Sequence, residues 1–107
     1  MITAAACKRK GMEVLVFEKV TEYKPFGGPI QLQCNSQGAL DSIDPAMAEE
    51  VFERGIITGD RVNGLLDGVS GEWFYRFDTR QPCYMNGLPL TLVLSRYDLL
   101  DILREGV

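Results

Sequence analysis

Glu18 is the residue whose setting points most directly to a ligand. It closes a short, mostly apolar run at positions 12–17 (Met-Glu-Val-Leu-Val-Phe), and an alanine- and lysine-bearing segment at 2–10 comes just before that run. A helix, then a buried strand, then a carboxylate at the strand end is the order of a dinucleotide-binding βαβ unit. In such units the acid accepts hydrogen bonds from the adenosine ribose hydroxyls. The first strand of the unit and its Gly-x-Gly-x-x-Gly turn are missing, because the sequence opens at Met1 already inside the helix. The expectation is therefore a nucleotide-binding domain without its phosphate cradle.

The elements that would position Glu18 follow from local signals. Residues 2–10 predict a helix whose basic end, Lys8-Arg9-Lys10, complements the dipole and is stopped by Gly11. The run 12–17, with two valines, predicts a strand buried on both faces, as in a parallel sheet. Positions 18–26 predict a polar loop containing Pro25, followed by Gly27-Gly28-Pro29 as backbone punctuation. Residues 30–33 predict a short extended piece leading into a helix near 35–43. Asp44 and Pro45 form an N-cap and first-turn pair for a helix running to about Arg54, with Gly55 as its stop.

Further along, 61–67 and 72–78 predict two strands of an antiparallel hairpin around a Gly/Ser turn. Trp73, Tyr75 and Phe77 would share one strand face with Phe74 on the other, and such a stripe is more often core than a ligand groove. Asp60 and Asp67 are expected to shape turns. Residues 80–90, with two prolines, predict a loop; 91–95 predict a strand; 96–105 predict a helix with Leu99, Leu100 and Leu103 on one stripe. A chain of 107 residues makes one domain at most.

Composition narrows the chemistry. With 46% apolar and 24% charged residues the chain has the make-up of a globular domain. A net charge of −4, without a cluster of cations to neutralise phosphates, argues against a nucleic-acid partner. The absence of histidine removes histidine acid–base catalysis, triad hydrolysis and most zinc sites. Cys7, Cys34 and Cys83 are odd in number and widely spaced, which suits small buried hydrophobes in a reducing compartment and neither a disulfide frame nor a metal site. No apolar run is long enough to span a bilayer, and no transit or signal segment is recognisable from Met1 onward.

Several segments, taken in order, carry a family likeness. They are 14–19 (Val-Leu-Val-Phe-Glu-Lys), 28–33 (Gly-Pro-Ile-Gln-Leu-Gln), 57–64 (Ile-Thr-Gly-Asp-Arg-Val-Asn-Gly), 67–71 (Asp-Gly-Val-Ser-Gly), and Ser95-Arg96-x-x-Leu99-x-x-x-Leu103. Together they resemble the zeaxanthin epoxidases, plastid members of the FAD-dependent aromatic-hydroxylase-like monooxygenases. The Val-Phe-Glu and Arg-x-x-Leu pieces are shared across flavin monooxygenases, whereas 28–33 and 57–64 are the more specific ones.

The resemblance implies an α/β fold: a partial Rossmann-like FAD-binding domain over 1–107, its first strand and glycine turn missing, with an antiparallel β-hairpin insertion. It implies FAD as cofactor, reduced by NADPH with or without ferredoxin. It also implies epoxidation of the β-ionone rings of zeaxanthin to antheraxanthin and violaxanthin, a plastid location and thylakoid association. Most of that chemistry belongs to the flavin, so no catalytic side chain is assigned here.

The cofactor-facing residues implied by the resemblance are Glu18 at the ribose, Lys19 near the adenine, Gly28 and Gln31 where the chain passes the flavin, and Arg96 near the ribityl chain and ring. An arginine at a helix start works against the dipole, which favours a reason other than helix stability; pairing with Asp98 or Asp60 is the alternative. Plant members carry an arginine immediately before Gly-Pro-Ile-Gln, and Gly27 stands there in this chain. Two other readings remain open: an aromatic-ring hydroxylase on the same scaffold, and a non-catalytic interaction protein.

Without a helix N-terminus prepared for the pyrophosphate, the 107-residue chain alone is expected to bind FAD weakly or not at all and to show no epoxidase activity. Gel filtration after incubation with FAD checks this. Colourless protein is the expected result, and yellow flavin co-eluting with the chain contradicts it.

Overall fold

The run Leu-Val-Leu-Ser near the C-terminus alternates in burial, with Leu92 at 0% and Leu94 at 4% exposure. That period of two marks a strand with one face against the core. The computed structural model describes residues 1–24 and 26–107; Pro25, expected within the polar loop, lies outside them. The elements in chain order are α1 (Ile2–Arg9), β1 (Pro29–Leu32), α2 (Cys34–Ile43), α3 (Pro45–Arg54), β2 (Ile56–Ile57), β3 (Asn63–Leu66), β4 (Trp73–Phe77), α4 (Arg80–Met85), β5 (Leu92–Ser95) and α5 (Arg96–Glu105).

β5 is the middle strand of a three-stranded sheet, with β1 on one side and β2 on the other, both antiparallel to it. Its buried leucines meet Ala5 of α1, Leu40 of α2, Met47 and Val51 of α3, and Ile102 and Leu103 of α5 in one apolar cluster. The fold is a mixed α/β arrangement with antiparallel sheets. Gln37 stitches two of its parts together: its amide nitrogen donates to the carbonyls of Leu32 at 3.1 Å and Leu90 at 2.8 Å.

The helices expected from caps and spacing are present. Asp44 carries the most consequential cap. It is 4% exposed, and its carboxylate accepts the Met47 N–H at 3.3 Å while Pro45 fills the first helical position. The same carboxylate pairs with the Arg9 guanidinium, which ties the end of α1 to the α2–α3 corner. Arg9 holds the Asp44 carboxyl below the usual aspartate range against the opposing effect of burial, and the Met47 N–H adds to that.

The hairpin of β3 and β4 stands as a separate two-stranded sheet. Its turn is set by Asp67, whose carboxylate accepts the Val69 N–H at 2.9 Å and the Ser70 hydroxyl at 2.7 Å. Those two donors lower the Asp67 pKa.

Four expectations are corrected. Residues 12–17 form no strand: no ladder partner for them exists among the described residues, and Leu15 is 75% and Phe17 91% exposed. An extended run cannot be a strand without neighbouring N–H and C=O groups to pair with. The aromatics of β4 are not core, since every residue of that strand is exposed. Nor do Trp73, Tyr75 and Phe77 form one stripe. A bulge at Leu65/Leu66, opposite Phe74, shifts the phase; Tyr75 and Phe77 lie 6.0 Å apart, while Trp73 carries the Arg76 guanidinium 4.7 Å from its ring centroid. Finally, 80–90 is not all loop. Pro82 falls in the first turn of α4, where its missing N–H costs nothing, and Asp78 accepts the Arg80 N–H at 2.8 Å to start the turn.

Replacing Asp44 by Ala removes a cap and a buried ion-pair partner, so a loss of about 1–3 kcal/mol is expected from urea midpoints at pH 7. Asp44→Asn keeps an acceptor for the cap and should lose less. Because the folded-state pKa of Asp44 lies below its unfolded value, its contribution is full above about pH 4 and fades as pH falls through the folded value. The gap between wild type and Asp44→Asn should therefore close in acid; a gap independent of pH contradicts the assignment.

Candidate functional site

The antiparallel register of β1 and β5 pairs Pro29 with Ser95. Ser95 then caps α5, its hydroxyl accepting the Asp98 N–H at 3.0 Å. The helix must therefore begin at Arg96, directly beside the glycines that precede β1. Gly27 has a φ of +109°, in the left-handed region, and a Cβ built on it would sit 2.9 Å from Arg96 Cδ. Only glycine lets the chain turn this tightly over the arginine stem.

Between the loop leading to Gly27 and the face of α5 lies a cleft of about 700 Å³. Glu18, Tyr23 and Lys24 line it from the loop, with Phe17 and Phe26 as apolar wall; Arg96 and Leu100 line it from the helix. Its volume falls in the range typical of small-molecule sites. One Glu18 oxygen accepts the Val20 N–H at 3.1 Å, and the other has no protein partner among the described residues. Arg96 makes no ion pair among the described residues, and the Asp98 carboxylate accepts the Ser95 hydroxyl instead. The cleft thus offers the free Glu18 oxygen and two uncommitted cations around an apolar wall, with the Glu22 carboxylate also at its lining.

Of the residues singled out from sequence, Glu18 and Arg96 meet in this cleft. Lys19, Gly28 and Gln31 do not line it. Lys19 is exposed just beyond Glu18, Gly28 faces open space, and Gln31 is an exposed residue of β1 opposite Val93. Sequence reasoning missed Tyr23, Lys24 and Leu100. Leu100 was visible only as part of a core stripe, and nothing local marks Tyr23 as a neighbour of α5.

The motif at 57–64 does structural work at the root of the hairpin. The N–H groups of Thr58 and Gly59 both donate to the Thr91 carbonyl, at 3.0 and 2.8 Å. Asn63 donates its amide to the Arg61 carbonyl at 2.9 Å and to the Thr79 hydroxyl at 3.0 Å. A Cβ at position 64 would come within 2.0 Å of the Tyr75 carbonyl oxygen, so the two hairpin strands approach as closely as they do only with glycine there.

The three cysteines are free, and Cys83 is fully buried with its thiol donating to the Thr79 carbonyl at 3.1 Å. Burial, with Cys34 alongside, pushes the Cys83 thiol up and makes it a poor nucleophile. Among the described residues no helix is long and apolar enough to cross a membrane.

Known proteins place the chain. It is 49% identical over 111 aligned residues to a chloroplastic zeaxanthin epoxidase of Arabidopsis thaliana, 48% identical to one of Oryza sativa subsp. japonica, and 44% identical to one of Solanum lycopersicum. Each of these alignments takes in 100% of this chain and 17% of the relative. No family model matches, and no solved structure matches. Spanning about a sixth of the length of these relatives and alike from end to end, the chain is zeaxanthin-epoxidase-like.

Proposed function

We propose that this chain supplies the ribose- and phosphate-facing part of the FAD site of a zeaxanthin-epoxidase-type monooxygenase. The observation that carries the reading is the meeting of Glu18 and Arg96 in one cleft, in a chain with this likeness. The residues present fit the adenosine-diphosphate half of FAD. The unpartnered Glu18 oxygen suits a ribose hydroxyl, the Arg96 fork and the Lys24 ammonium suit phosphate oxygens, and the apolar wall suits adenine. In this reading α1 and Glu18 are the helix and ribose-binding acid of a Rossmann-like unit, residues 1–107 form part of one FAD-binding domain, and the β3–β4 hairpin is an insertion. Lys19, Gly28 and Gln31 stand near the adenine and flavin once the rest of such an enzyme is in place.

Bound flavin supplies the oxygen activation that these side chains lack. The chain's own residues orient the cofactor: Glu18 fixes the sugar, Arg96 and Lys24 neutralise negative charge on it, and Leu100, Phe17 and Phe26 offer it apolar surface. The substrate of the whole enzyme would be zeaxanthin, in a plastid, with NADPH as the source of electrons.

The test is a chimera in which this chain replaces the matching segment of the Arabidopsis epoxidase. The chimera is expected to purify yellow and to convert zeaxanthin to its epoxides. Glu18→Ala in the chimera should weaken flavin retention by about ten-fold or more, the worth of a hydrogen bond to a charged group. A folded chimera without flavin, or one indifferent to Glu18→Ala, contradicts the reading.

A further inference from the structure

We infer that Tyr23 and Arg104 form a clasp that holds the Glu18-bearing loop on α5, and that they are positioning residues of the cleft. The inference rests on the cofactor reading above for its purpose, and on the following geometry for its existence.

The loop has little else to hold it. The Met12 N–H still bonds to the Cys7 carbonyl, and pairing resumes at Pro29 in β1. Between them, the only backbone–backbone hydrogen bond among the described residues is local, from the Phe26 N–H to the Lys24 carbonyl at 2.7 Å, and the Val20 N–H bonds only to its neighbour Glu18. Side chains must therefore set where the loop lies.

Arg96, Leu100 and Arg104 are spaced four apart along α5, so they stack on one helix face over about 12 Å. Arg96 and Leu100 line the cleft. The third member, Arg104, stands one turn beyond, and its guanidinium carbon lies 4.5 Å from the centroid of the Tyr23 ring. That is a cation–π stack. Among the described residues Arg104 makes no ion pair, so the guanidinium is not committed elsewhere.

The loop is thus pinned at two points. Gly27 rides over the Arg96 stem at the start of the helix, and Tyr23 sits on Arg104 in its last turn. Glu18 hangs from the anchored segment, across the cleft from Arg96. Releasing Tyr23 would leave Gly27 as the remaining pin and let Glu18 swing away.

The loop carries its own probe. Trypsin cleaves after Lys19, whereas the Lys24 bond is protected by the following proline. Limited trypsin digestion of the full 107-residue chain should therefore report loop release at the Lys19–Val20 bond. Tyr23→Leu and Arg104→Gln are expected to speed that cleavage about two- to five-fold, the range set by an exposed cation–π contact. Tyr23→Phe keeps the ring and Arg104→Lys keeps the cation, so both should stay within about two-fold of wild type.

Four variants that all cleave like wild type overturn the clasp. So do four that all cleave faster to the same extent, since that is general loosening. In the epoxidase chimera, Arg104→Gln should lower flavin retention and Arg104→Lys should restore it; retention indifferent to both overturns the positioning role. A wild-type chimera without flavin overturns the cofactor reading instead, and leaves the cleavage result to decide the clasp on its own.

Discussion

The pairing of Pro29 with Ser95 is the constraint from which the rest of this structure follows. It fixes β1 against β5 and so points Leu92 and Leu94 at the helices. It also leaves Ser95 free to cap α5, which sets Arg96 as the first residue of that helix. A one-residue slip would turn the buried leucines outward, so burial itself enforces the register. The cleft is a by-product of this pairing, because the chain that enters β1 has to pass over the start of α5.

Burial is concentrated in one part of the molecule. Leu92, Ile102, Val51 and Cys83 are fully buried, and Asp44 locks the helices above the sheet through Met47 and Arg9. Outside that nucleus lie the run 12–17 and the whole of β4, where Leu15, Phe17, Phe74 and Tyr75 are strongly exposed. Apolar surface on this scale marks contact with other protein or with ligand. It accords with relatives about six times as long as this chain.

What was legible in the sequence was what local chemistry dictates. Asp44-Pro45 announced the start of α3 and Gly55 its end, Gly11 the end of α1, and the Asp67–Gly71 turn announced the hairpin. Glu18 and Arg96 were each named from motif likeness, and both line one cleft. What remained hidden depended on partners distant in sequence. Residues 12–17 have the composition of a strand but nothing here to pair with. The bulge that turns Trp73 toward Arg76 leaves no trace in an alternating pattern. The stack of Tyr23 on Arg104 joins two residues that look, one by one, like ordinary surface.

The central claim is that the Glu18 carboxylate and the Arg96 guanidinium grip one cofactor from opposite sides of a cleft. A crystal structure of the flavin-loaded chimera tests it most directly. The account expects the free Glu18 oxygen at hydrogen-bonding distance, about 2.7 Å, from a ribose hydroxyl, with Arg96 on the same FAD molecule. Adenosine bound elsewhere, with Glu18 facing solvent, would contradict it.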